Sequence, residues 1–156
     1  MTNKILLRDV IESDLPILYE QQLDPDATAM AAFPSRDREA FMAHSARIMS
    51  DESVIFKAIV FDGEVAGSMV SWIMEGEREV GYWLGKEYWG KGIATQALSE
   101  YVKIVRTRPL YAHVARHNIG SRRVLEKCGF KVIGEDTYMN PAGAEVDEFI
   151  LKLDNH

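Results

Sequence analysis

Apolar residues alternate with polar ones, or cluster with β-branched neighbours, in seven short stretches: 4–9, 53–61, 64–73, 79–84, 110–115, 130–138 and 146–153. A period of two over such lengths predicts strands. Between them the apolar spacing lengthens to three and four, which predicts helices. Ser13 is the expected N-cap of a first helix reaching about Leu23, its hydroxyl taking an orphan N–H, with Pro16 tolerated in the first turn. A second helix is expected from about Asp37 to Ser50. A third places Ile93, Ala97, Leu98, Tyr101 and Val105 near one face, runs to about Arg106 and must end before Pro109. Asn118 caps a fourth, which stops at Gly129. Asp62-Gly63 between two strand runs is a two-residue hairpin signal, and Gly76 marks the next turn. The order β-α-α-β-β-β-α-β-α-β-β has no repeat, low-complexity tract or linker. It predicts one α+β domain over residues 1–156, a mixed sheet with helices on both faces.

Composition narrows the function classes. At 156 residues, 47% hydrophobic and 27% charged, the chain has the make-up of one globular domain. No apolar run approaches the ~20 residues of a membrane span, and the N-terminus lacks the apolar stretch of a signal peptide, so a cytoplasmic protein away from the membrane is expected. The lone Cys128 excludes an internal disulfide and provides no zinc cluster; a small buried side chain near a helix end is its expected role. His44, His117 and His156 have no partner pattern for a metal, so none is expected. A net charge of −6 argues against nucleic acid and suits a cationic substrate. Against that sign, Lys91, Arg116, Arg122, Arg123 and Lys127 gather near the segment that carries the chemistry.

That segment is Tyr88-Trp89-Gly90-Lys91-Gly92-Ile93-Ala94-Thr95, between the fourth strand and the third helix. Two glycines and a lysine at a helix N-terminus offer unpartnered N–H groups, the positive end of the macrodipole and close backbone approach, all of which favour a phosphate. Three schemes use such a loop. Gly85 to Gly92 reads G-x-x-x-x-G-K-G, one residue short of a Walker A loop; Gly92 has no hydroxyl for Mg²⁺, and Tyr88 and Trp89 stand where the backbone would curl. A dinucleotide fingerprint needs an acid about 20 residues on, and residues 110–117 contain none. The third scheme is the pyrophosphate of coenzyme A.

Three motifs in order, Glu79-Val-Gly-Tyr-Trp-Leu-Gly, the Tyr88-to-Thr95 loop, and Asn118-x-x-Ser121-x-x-Val124-Leu125-Glu126-Lys127-x-Gly129-Phe130, resemble the GCN5-related N-acetyltransferases over nearly the whole chain. Within them the motifs look most like the RimJ/RimL branch, which acetylates N-termini of ribosomal proteins. The resemblance implies a mostly antiparallel sheet of about seven strands, splayed between strands four and five and flanked by about four helices. It implies acetyl-CoA as cosubstrate and an amine acceptor, either a protein N-terminus or a small molecule. Dimers are common among such proteins, which keeps a homodimer open.

By the same resemblance, the backbone from Gly90 through Lys91, Gly92, Ile93, Ala94 and Thr95 holds the pyrophosphate, and Lys127 belongs to the same binding region. Pantetheine pairs with the strand near Trp83 and Leu84, and the Leu84 N–H faces the acetyl oxygen. Glu79 corresponds to a strand-four glutamate that some members use as base; the alternative is an exposed strand-end carboxylate. Ser121 is the candidate to meet the thiolate, and Asn118 bonds the cofactor or serves as a plain N-cap. His113 is a second candidate base or a satisfied structural histidine, and Trp89 packs under the loop. Two departures stand out: Glu87 occupies the place of the usual Gln or Arg before the loop, and Leu125 stands where many relatives carry a tyrosine acid. A noncatalytic acyl-CoA sensor is the rival reading, because binding is better encoded than chemistry. The acceptor side, from Leu23 to Arg38, carries no readable residue code.

Overall fold

A computed structural model describes residues 4–154; His156 lies outside them. Seven strands form one sheet in the order β1-β2-β3-β4-β5-β7-β6. They are β1 (Ile5–Asp9), β2 (Ile55–Phe61), β3 (Glu64–Met74), β4 (Glu77–Leu84), β5 (Leu110–Ala115), β6 (Lys131–Met139) and β7 (Glu145–Leu153). All neighbours are antiparallel except β4 and β5. Asp62 and Gly63, at φ 50° and 83°, form the β2–β3 hairpin turn, and Glu75 and Gly76 repeat that left-handed pair between β3 and β4.

Five helices occur among the described residues: α1 (Leu15–Gln22), α2 (Pro25–Ala31), α3 (Arg38–Ser50), α4 (Ile93–Ile104) and α5 (Ile119–Lys127). The expected face of α4, with Val105 just beyond it, is fully buried and joins Val80, Leu84, Leu110, Ala112 and Leu125 in the main core. On the other face of the sheet, Leu15 and Leu18 of α1 meet Val10, Ala58 and Val60, with Phe41 and Met42 of α3 packed against them.

Three features of the structure depart from what the sequence predicts. Ser13 caps nothing: residues 12–14 form a 3-10 turn, and Asp14 occupies the N-cap position of α1. The Asp14 carboxylate is the better acceptor; it takes the Ile11 N–H at 2.9 Å and a two-pronged Arg8 guanidinium at 2.7 and 2.9 Å, which holds it below its ordinary pKa. Helix α2 falls in the stretch that had no readable code. Its signal was present: Asp24 accepts from Asp26 N–H and Ala27 N–H, with Pro25 at the first helical position. Glu79 is not a solvated strand end but is buried, at 5% exposure.

Candidate active site

Strands β4 and β5 pair only at Arg78↔Leu110 and Glu79↔Tyr111. Beyond these, β4 stays with β3 up to Leu84 and β5 stays with β7 up to Ala115, so the two strands part. A cavity of about 500 Å³ opens in the wedge. Strand β4 contributes Tyr82, Trp83 and Leu84 to its wall, and the following turn Tyr88, Trp89 and Gly90. The first turn of α4 contributes Ile93, Ala94 and Thr95, and the α5 side contributes Asn118, Gly120, Ser121, Arg123 and Lys127.

The two helix ends at the cavity differ. Gly92, at φ 76°, precedes α4, and no side chain caps that helix. Its first N–H groups are therefore left for an anion. At α5 the Asn118 Oδ1 accepts the Ser121 N–H at 3.2 Å, so the plain N-cap role is filled while the side-chain amide NH₂ has no protein partner among the described residues. A Cβ built at Gly90, Gly92 or Gly120 meets nothing within 4 Å. All three face open space that a ligand can enter. Of the five basic residues expected around the anion site, Arg123 and Lys127 line the cavity. Lys91 is exposed beside the loop and not on the wall, Arg116 pairs with Glu135, and Arg122 lies over the Phe149 ring.

Local packing holds the wall in place. Trp89 donates its indole N–H to the Leu84 carbonyl at 3.0 Å and packs against the main core, which ties the glycine loop to the end of β4. Trp83 donates to Gln21 O at 3.2 Å. Helix α2 brings Ala27, Met30 and Ala31 to the cavity and is tied to the opposite side: His117 Nε2 contacts Ala29 O at 2.8 Å, and Asn140 Nδ2 donates to Ala32 O at 3.0 Å.

Glu79 does not line the cavity; it lies five residues before Leu84 on β4, about 16 Å along the strand. His113 Nε2 contacts its carboxylate at 3.2 Å, and His113 Nδ1 contacts Glu148 at 2.7 Å. Both carboxylates favour the imidazolium, Glu148 more strongly, and push His113 up to about 10. Burial, with Asp136 nearby, raises Glu148, and His113 opposes that shift. The ligand atoms of His113, Asp136 and Glu148 lie within 4.8 Å of one another. The result is an imidazolium clamped between carboxylates, so His113 is a counter-charge rather than a free base. Sequence reasoning gave no role to Tyr82, Gly120 or α2; Tyr82 lies within the Glu79-to-Gly85 motif, and its O–H donates to Ser121 Oγ at 3.1 Å.

A family model described as an acetyltransferase (GNAT) domain matches residues 4–131. No curated protein matches the sequence significantly. Solved structures share the fold at low identity. A GNAT-family acetyltransferase from Bacillus anthracis is 21% identical, with a TM-score of 0.81 over 96% of this chain and 94% of that one. Spermidine N-acetyltransferase from Vibrio cholerae, solved with CoA and spermine, is 16% identical, with a TM-score of 0.81 over 96% and 95%. Aminoglycoside acetyltransferase AAC(6')-Ib, solved with coenzyme A, is 20% identical, with a TM-score of 0.76 over 94% of each chain.

Proposed function

Because the chain belongs to the GNAT acetyltransferase family, we propose that it moves an acetyl group directly from acetyl-CoA to a primary amine, both held in the wedge between β4 and β5. The observation that carries this reading is the uncapped N-terminus of α4 opening, through Gly90 and Gly92, onto that wedge. The pyrophosphate sits on the N–H groups from Gly92 to Thr95, with Arg123 and Lys127 supplying charge. The pantetheine amides pair with the free edge of β4 near Trp83 and Leu84 as an added strand would. The Leu84 N–H faces the acetyl oxygen; a donor so placed is typically worth about 3 kcal/mol in the transition state.

An amine arrives protonated at neutral pH and must lose a proton before attack. Glu79, paired with His113, takes that proton through water, since it lies outside the cavity wall. The thiolate leaves from a group of ordinary pKa ~8.5, so the Ser121 hydroxyl suffices as its donor. The net charge of −6 favours a small cationic amine. The spermine and aminoglycoside names of two neighbours point the same way. Protein N-termini, the acceptors of the RimJ/RimL-like branch, are the second acceptor class, supported by the Glu79-to-Gly85 and Asn118-to-Phe130 motifs. The lone Cys128 suits a reducing, cytoplasmic setting.

A noncatalytic acyl-CoA sensor is favoured by one observation, the distance of Glu79 from the cavity wall. Thiol release from acetyl-CoA, measured with spermidine, an aminoglycoside and N-terminal peptides, separates the two readings. Amine-dependent release supports the transferase and identifies its acceptor class. Tight coenzyme A binding without release from any of them supports the sensor.

A further inference from the structure

Two hydroxyls meet across the wedge. Tyr82 reaches in from β4 and Ser121 from the first turn of α5, and both line the cavity. The phenol donates to Ser121 Oγ at 3.1 Å. Removal from water raises the Tyr82 pKa, with the Ser121 hydrogen bond opposing. The phenol therefore stays neutral and keeps the proton that makes it a donor.

A serine oxygen that accepts a hydrogen bond still has its own proton to place. Among the described residues no protein group accepts the Ser121 O–H, while the Ser121 N–H is already committed to Asn118 Oδ1. With the backbone of the residue fixed by its cap and its oxygen fixed by the phenol, the remaining direction for the proton is the cavity.

Granted that acetyl transfer takes place there, we propose that Tyr82 is a positioning residue that orients and polarises the Ser121 hydroxyl toward the departing sulfur of coenzyme A. As the tetrahedral intermediate collapses, the C–S bond breaks and its electron pair goes to sulfur. Ser121 passes its proton to that sulfur. The ammonium nitrogen loses two protons in all: the first stays on Glu79, and the second, released once the N–C bond has formed, returns through water to the serine oxygen, while Tyr82 keeps its own proton throughout. Chained donors of this kind strengthen one another, so the phenol makes the serine a better donor than it is alone.

Tyr82→Phe removes only the hydroxyl and tests this directly. The expected result is a fall in kcat of about tenfold, the factor that one hydrogen bond of ordinary strength carries in a transition state. The KM for acetyl-CoA and the affinity for coenzyme A stay unchanged. A double-mutant cycle supplies the decisive readout: in a Ser121→Ala background, Tyr82→Phe causes no further loss. Wild-type kcat in Tyr82→Phe, or losses that multiply in the double variant, overturns the role of Tyr82 and leaves the transferase intact. Absence of thiol release from the wild-type protein with every amine, despite coenzyme A binding, overturns both.

Discussion

At Gly120, in the first turn of α5, a side chain has open space in front of it and a backbone that tolerates one. Gly120→Leu therefore separates binding from folding. Replacing a glycine whose backbone a side chain can adopt without strain stabilises by about 0.4–1 kcal/mol, so the melting temperature holds or rises. Coenzyme A affinity drops by about tenfold or more, read by calorimetry, because the side chain occupies the ligand's approach. His113 behaves in the opposite sense. His113→Leu leaves Glu79 and Glu148 facing each other without a counter-charge, at an expected cost of about 2–3 kcal/mol in denaturant unfolding at pH 6. The pH dependence follows from the raised value of about 10 against an ordinary 6.5. A raised folded-state pKa means that the stabilisation is complete below about pH 6.5 and is lost as pH rises through about 10. The gap between wild type and His113→Leu should thus narrow between pH 6 and pH 10, and a gap that widens would refute the clamp. Single residues were only partly legible in the sequence. Asn118 showed itself through local chemistry as a cap, and Gly92 as a glycine at a helix start, while its left-handed φ of 76° was no part of that expectation. The burial of Glu79 and the Tyr82–Ser121 contact depend on which strands and helices meet, across 39 residues in the latter case, and no local pattern encodes that.

Helices and strands were read best where burial is one-sided. Helix α4 has a full apolar stripe, and its face was legible residue by residue. Helix α2 is Pro-Asp-Ala-Thr-Ala-Met-Ala, with one buried residue, Ala27, and small side chains that produce little periodicity, so it was missed, and only its Asp24-Pro25 start carried a signal. Asp24→Ala removes that cap at a cost of about 1 kcal/mol. Faster amide exchange confined to residues 25–31, with a higher KM for the acceptor, is the expected outcome; unchanged exchange would mean that the contacts from His117 and Asn140 hold the helix by themselves. Between β3 and β4 the decisive residue is Gly67. A Cβ there would lie 2.1 Å from the Trp83 carbonyl oxygen, so the strands can approach only with glycine. Gly67→Ala is expected to cost about 1–3 kcal/mol in chemical unfolding and to weaken coenzyme A binding as well, because the displaced strand carries Trp83 and Leu84. Normal affinity in a destabilised variant would detach the end of β4 from the cofactor site.

Over the whole molecule, one topological fact organises the site. A single parallel pair, β4 and β5, joins two antiparallel groups of strands, holds for two residues and then opens. The connection between those strands is α4 and the one after β5 is α5, so both helices begin at the opening. That geometry gathers the uncapped helix end, the basic residues of α5 and the free edge of β4 around one cavity. Element order and the glycine loop were legible locally, whereas the parting of β4 from β5 was expected only from the family resemblance. The identity of the acceptor was not announced, because α2, whose Ala27, Met30 and Ala31 line the cavity, comes to β4 and α5 only on folding. Calorimetric titration of coenzyme A into the wild-type protein and into Gly120→Leu tests the cavity assignment most directly. One-to-one binding to the wild type, sharply weakened in the variant at equal or greater thermal stability, is the expected result. No binding to the wild type, or equal affinity in both proteins, would contradict it.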